Sequence, residues 1–196
     1  MVNVSYRKFR KLFISENRDL DQTVMWTNGA IVALALRGEE VKDAYKGFSQ
    51  LGGAEILDRM EEFATEVANK AIELLSSEQM IPGEYDCICD PDTTGMIVHE
   101  AFGHGVEMDQ FVKDRALAKQ CVGQYVASPI TNMRDGAAAT VSAASYFFDD
   151  DGVIAHDTQI IKDGILVAGL SDLTSASQLG TEPTDVNRTP IRHIPA

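Results

Sequence analysis

One stretch constrains the fold more than any other. Between residues 54 and 76, Ile56, Met60, Phe63, Val67, Ala71 and Leu74 recur at steps of three and four, with Leu57, Ala64, Ala68 and Leu75 beside them. Acidic and polar residues fill the other side. That spacing predicts a long amphipathic helix laid on an apolar surface. The Met and Phe stripe reads as core packing rather than as a cofactor contact.

The chain around this helix reads mostly as strands. Residues 4–15 mix basic and apolar side chains in near alternation, as an exposed strand does. Residues 21–27 and 30–37 read as two further strands joined at Asn28-Gly29, a pair that tolerates the positive φ of a tight hairpin. Residues 38–53 read as irregular. Beyond the helix, Pro82-Gly83 marks a turn, 84–89 a short strand, and Thr93 or Thr94 the cap of a helix running to about Val106. The stretch 111–127 is ambiguous. Residues 138–147, 153–161 and 165–170 read as strands separated by turns at Asp151-Gly152 and Asp163-Gly164.

No regular β-α-β alternation is present. The expected fold is therefore α+β, a mostly antiparallel sheet with one long amphipathic helix and one short helix bearing histidines. Strands and the long helix fill about residues 1–80, and the histidine helix with its strands about 84–196.

Composition narrows the function. Hydrophobic residues make up 44% of the 196, enough for a packed core. The formal net charge is −13, which repels phosphate backbones and argues against direct nucleic-acid binding. No signal peptide is visible, and no apolar run reaches the ~20 residues that span a bilayer. A soluble, cytoplasmic protein is expected. The three cysteines, Cys87, Cys89 and Cys121, do not suggest a disulfide framework, and Cys87 and Cys89 read as buried thiols. Trp26 reads as a packed or edge aromatic, His156 as a surface residue, and 149–152 as an acidic turn rather than a calcium loop. His193 falls in a proline-containing tail.

The chemistry concentrates in GMIVHEAFGHGVEMD, residues 95–109. The chain has four histidines, and two of them, His99 and His104, lie here with Glu100 directly after the first. Neutral imidazole is a good zinc ligand, and a carboxylate beside the ion can take a proton from water. The spacing is HExxxH, one residue longer than the familiar zinc-peptidase HExxH. Five residues of regular α-helix turn ~500°, which would leave the two rings ~140° apart. A shared ion therefore requires a π-type turn or an early helix end between Ala101 and His104, which Gly103 and Gly105 make cheap. Glu107 and Asp109 add carboxylates for direct ligation or for support of the ligands.

At this segment the sequence resembles the TldD–PmbA family, described both as modulators of DNA gyrase and as metallopeptidases that mature peptide antibiotics. His99, Glu100, Ala101, Gly103, His104, Glu107 and Asp109 match the H-E-A-x-G-H-x-x-E-x-D pattern of its TldD branch in order. The similarity extends to Ser15-Glu16, with Asn17 where glycine is usual, to PGEYDCICDPDTTGMIVHE, and to FFDDDGVIAHDTQIIKDGIL. It also reaches LGTEPTDVNR, where Asp185-Val186 interrupts a Pro-Thr-Gly-Asn pattern.

The resemblance implies zinc as the metal, His99 and His104 as ligands, and Glu100 as the base that activates water. It implies an extended peptide as substrate, and a homodimer or a heterodimer with a PmbA-like subunit. Family chains are longer at both ends, and their third zinc ligand is a cysteine in the C-terminal part. Cys87, Cys89 and Cys121 do not occupy a matching position. Either a separate chain completes the site, or this is a fragment or degenerate copy; Glu107 or Cys121 could substitute locally. The alternative is a non-catalytic protein of the same fold that binds peptide or a partner.

Overall fold

The computed structural model describes residues 1–184. The fold is α+β, and the chain divides into two compact units. The first comprises residues 1–10, 23–86 and 141–144. The second comprises, among the described residues, 11–22, 87–140 and 145–184. The tail with His193 and the Asp185-Val186 interruption lies outside the described residues.

Strands β1 (Val2–Ile14), β2 (Asp19–Arg37) and β3 (Glu40–Leu51) form a sheet in the order β1-β2-β3. Helix α1 (Ile56–Leu74) packs against β3, as the periodicity required. Ile56, Met60, Val67 and Ala71 on the helix meet Ile31, Ala35, Ala44 and Phe48 on the sheet, forming the core of the first unit. Trp26 lies edge-on to Phe9, with ring centroids 4.8 Å apart.

Two expectations fail in this sheet. Asn28-Gly29 is not a turn: β2 runs straight through it, with Asn28 opposite Ser49 and Gly29 opposite Phe48. Glycine there leaves room for α1 instead: a Cβ would sit 2.5 Å from Met60 Sδ, so the Met60 side chain would have to shift. Residues 40–51 are strand rather than irregular. The hairpin turns at Gly38-Glu39, where Gly38 supplies the positive φ that a two-residue turn needs at its first position.

In the second unit, β4 (Met133–Asp135), β5 (Thr158–Lys162) and β6 (Ile165–Leu166) form a small antiparallel sheet in the order β4-β5-β6. Asp163 and Gly164, both at positive φ, make the β5–β6 turn expected from the sequence. Val106, Ile160, Ile161 and Leu166 form the core, with Phe102, Cys121, Val126 and Met133 packed around it. The helices of this unit are α2 (Pro91–Ala101), α3 (Met108–Val112), α4 (Ala118–Cys121) and α5 (Leu173–Leu179), of which α4 packs Ala118 and Cys121 against the core.

Residues 11–22 dock onto this unit through polar contacts. Lys11 pairs with Asp150, Arg18 donates to the Gly152 carbonyl, and the buried Gln22 side chain bonds both the Phe147 N–H and the Phe148 carbonyl. The acidic turn folds around Asp149, whose carboxylate accepts the N–H groups of Asp151 and Val153.

Three further expectations are corrected. Residues 84–89 form no strand, because no neighbouring strand among the described residues offers them a ladder; Cys87 and Cys89 are accordingly exposed, not buried. Residues 138–147 are bends and turns, and of 153–161 only the last few are strand. The capping box of α5, in which Asp172 and Ser175 bond each other's backbone N–H, and β4 itself were not anticipated. Among the described residues no helix is long and apolar enough to cross a membrane.

Candidate metal centre

The histidine helix begins one turn earlier than its threonines suggested. Asp90 is the cap, its carboxylate accepting the Thr93 N–H at 2.7 Å, and Pro91 takes the first helical position, where its missing N–H costs nothing. That hydrogen bond also holds the Asp90 carboxyl below its ordinary value. The helix ends at Ala101. Phe102, at φ −135°, leaves the helical region, and a 3-10 turn over Gly103–Val106 follows.

This early end answers the spacing problem. His99 is on the last turn of α2 and His104 on the 3-10 turn, and their rings meet edge to face with centroids 4.5 Å apart. Donor atoms of His99, Glu100 and His104 all lie within 4.8 Å of one another, and all three side chains are exposed. Two imidazoles and a carboxylate are a donor set that zinc accepts. The residues present therefore fit a zinc ion, with coordination positions left for other donors. Zinc would be held by His99 and His104, with Glu100 beside it.

Glu107 also reaches His104. Its Nδ1 lies 2.8 Å from Glu107 Oε1. The hydrogen bond, and then the carboxylate charge, raise the His104 pKa above its ordinary value, and the Glu100 charge acts in the same direction.

The other carboxylate and thiol candidates lie outside the three-residue group. Asp109 accepts from Lys113 Nζ at 2.6 Å and from Gln110, which hold its carboxyl below the usual range. Cys121 is half-buried against the core of the second unit. His156 is exposed, as expected.

Beside the cluster runs a groove of about 600 Å³, lined by Ile97, His99, Phe102, Met133, Arg134 and Ile161 among others. Arg134 is fixed there by Asp157 and Gln159. The sequence did not mark this wall, because β4 is three residues long, too short for a periodic signal.

The sequence profile of the PmbA/TldA metallopeptidase C-terminal domain matches residues 82–196, more than half of the chain and the part that holds the histidines. The chain belongs to the PmbA/TldD metallopeptidase family. It is similar to a metalloprotease of Synechocystis sp., with 36% identity over 81% of this chain and 33% of that protein. A zinc metalloprotease TldD homolog of Saccharolobus solfataricus matches at 24% identity over 89% of this chain and 40% of its own length. TldE from Thermococcus kodakarensis shares the fold, with a TM-score of 0.69 at 16% identity over 98% of this chain and 43% of that one. The chain thus spans about a quarter to two fifths of the length of the PmbA/TldD relatives it matches, from 27% to 40%.

Proposed function

We propose that this chain supplies the metal-binding part of a zinc-dependent peptidase that cleaves extended peptides. The observation that carries the reading is the convergence of His99, Glu100 and His104 across a helix end. A bound zinc ion supplies Lewis acidity and brings the ionisation of water near neutral pH. The protein's own part is positional. His99 and His104 fix where the reaction happens. Glu100 accepts a proton from the attacking water and returns it to the leaving amine.

The groove beside His99 suits the peptide. Its β4 wall is the edge strand of the order β4-β5-β6, so its backbone can pair with an extended segment. The two histidines give one ligand fewer than the three protein ligands usual at a catalytic zinc. We therefore assign the remaining donor to polypeptide outside the described residues, in this chain or in a partner subunit of a homodimer or PmbA-type heterodimer.

Metal analysis after purification at neutral pH tests the proposal. One zinc per chain is expected, lost in His104→Ala. Glu100→Ala should keep the metal and abolish cleavage wherever the intact chain cleaves. A chain that binds extended peptide with no metal would instead support a non-catalytic binding role.

A further inference from the structure

We infer that Glu107 is a positioning residue for His104: it accepts the Nδ1 proton of the ring and so reserves Nε2 for a cation. The inference rests on the zinc reading above, but it concerns a hydrogen bond that exists without the ion.

The two partners are held very differently. His104 is exposed and sits on a one-turn 3-10 segment between Gly103 and Gly105, so its own backbone does little to fix the ring. Glu107 follows Val106, which is fully buried in the core of the second unit. The backbone on both sides of Glu107 is clamped to Leu170: the Leu170 N–H donates to the Val106 carbonyl at 2.9 Å, and the Met108 N–H donates to the Leu170 carbonyl at 2.7 Å. This close approach depends on Gly169, where a Cβ would fall 2.5 Å from the Val106 carbonyl oxygen. Glu107 is thus carried by a fixed frame, and its carboxylate reaches His104 Nδ1 at 2.8 Å.

A carboxylate can only accept in this bond, so the neutral imidazole must carry its proton on Nδ1. The lone pair then lies on Nε2. A free histidine has no such constraint, and an exposed ring on a glycine-flanked turn would divide its time between tautomers and rotamers. Glu107 removes that freedom before any ligand arrives. Metal-bound histidines commonly donate their second N–H to a carboxylate, and loss of that partner costs about 10- to 100-fold in metal affinity. Glu107 also lies outside the three-residue donor group, as an outer acceptor should.

The test uses the full chain labelled with ¹⁵N at histidine, above the pH at which the ring is charged, together with zinc titration against a competing chelator. In the metal-free wild type, His104 should be protonated on Nδ1. Glu107→Leu keeps a comparable volume without an acceptor. It should shift the ring toward protonation on Nε2 and weaken zinc binding by about 10- to 100-fold. Glu107→Gln, which retains an acceptor oxygen, should fall between. Unchanged far-UV circular dichroism in the variants separates these effects from unfolding.

An unchanged tautomer and an unchanged zinc affinity in Glu107→Leu would overturn the inference while leaving the zinc reading intact. Loss of the Nδ1 proton on zinc loading would also overturn it, since Glu107 would then have released the ring. If the wild type binds no zinc, the zinc reading fails, and the tautomer in wild type and Glu107→Leu still decides the role of Glu107.

Discussion

His99 and His104 stand with their ring centroids 4.5 Å apart and their planes 63° apart, although five residues separate them in sequence. The cause is the break at Phe102. If α2 continued unchanged, the second ring would swing about 140° away from the first.

This makes Gly103 a sensitive position. A Cβ there meets only ordinary contacts, 3.6 Å from the Val98 carbonyl and 3.8 Å from His99 Nδ1, so Gly103→Ala should fold. Alanine favours helix over glycine by about 1 kcal/mol. The substitution should therefore favour continuation of α2 and weaken zinc binding by up to about fivefold, the equilibrium factor that such a preference represents. Zinc titration with circular dichroism checks it. Unaltered affinity would show that the helix end is set elsewhere.

Glu107 raises the pKa of His104 in the folded chain above the ordinary 6.5. The folded-state value lies above the unfolded one, so the stability this pair contributes is fully present below the unfolded value and lost as pH rises through the folded value. Zinc held at His104 Nε2 would compete with the proton that leaves that nitrogen as the charged ring titrates, so apparent zinc affinity should climb across that upper window. A histidine NMR titration gives the midpoint. Glu107→Gln should move it to lower pH, and an unmoved midpoint would exclude the carboxylate as its cause.

The second unit depends on a few fully buried aliphatic side chains. Ile160 and Leu166 are both 0% exposed, and Ile160→Ala or Leu166→Ala should each lower stability by about 2–5 kcal/mol. Met96, on α2, is 68% exposed, and Met96→Ala should change stability by less than about 0.5 kcal/mol. Denaturant unfolding of the three variants measures the contrast. A large loss at Met96 would mean that α2 is covered in solution.

Gly164 should tolerate no side chain. Its φ is +82°, and a Cβ would lie 2.7 Å from the carbonyl oxygens of both Ala127 and Ser128. The left-handed backbone alone costs alanine about 1–2 kcal/mol, and the clash with two main-chain atoms adds to it. Gly38→Ala is the comparison, because Gly38 also has positive φ but has nothing within 4 Å of its Cβ. Thermal melts should place Gly164→Ala well below Gly38→Ala.

The parts of this fold that could be read in the sequence are those whose cause is local. The periodicity of α1 and the turn at Asp163-Gly164 each express a preference of adjacent residues, and both appear where expected. Asn28-Gly29 carries an equally strong local preference, yet a twelve-pair ladder with β3 overrides it, and Gly29 answers instead to Met60, more than thirty residues away. Residues 84–89 have strand composition, but composition cannot supply a neighbour to pair with. The same division holds at the site. His99, Glu100 and His104 lie within one contiguous motif, could be read from it as candidates, and come together in the structure. The fixing of Arg134 by Asp157 and Gln159 joins distant segments and left no local mark.

No side chain of α2 is buried, and the helix is only 11 residues long. Isolated helices of that length are marginal in water, so α2 owes its order to the Asp90 cap at one end and to the Val106–Leu170 anchor beyond the other. The backbone between them should breathe freely, with its amides exchanging hydrogen far faster than those of β5. A ligand settling on this helix would have to quiet that motion, and its association would carry an entropic cost that a rigid, prebuilt cleft does not.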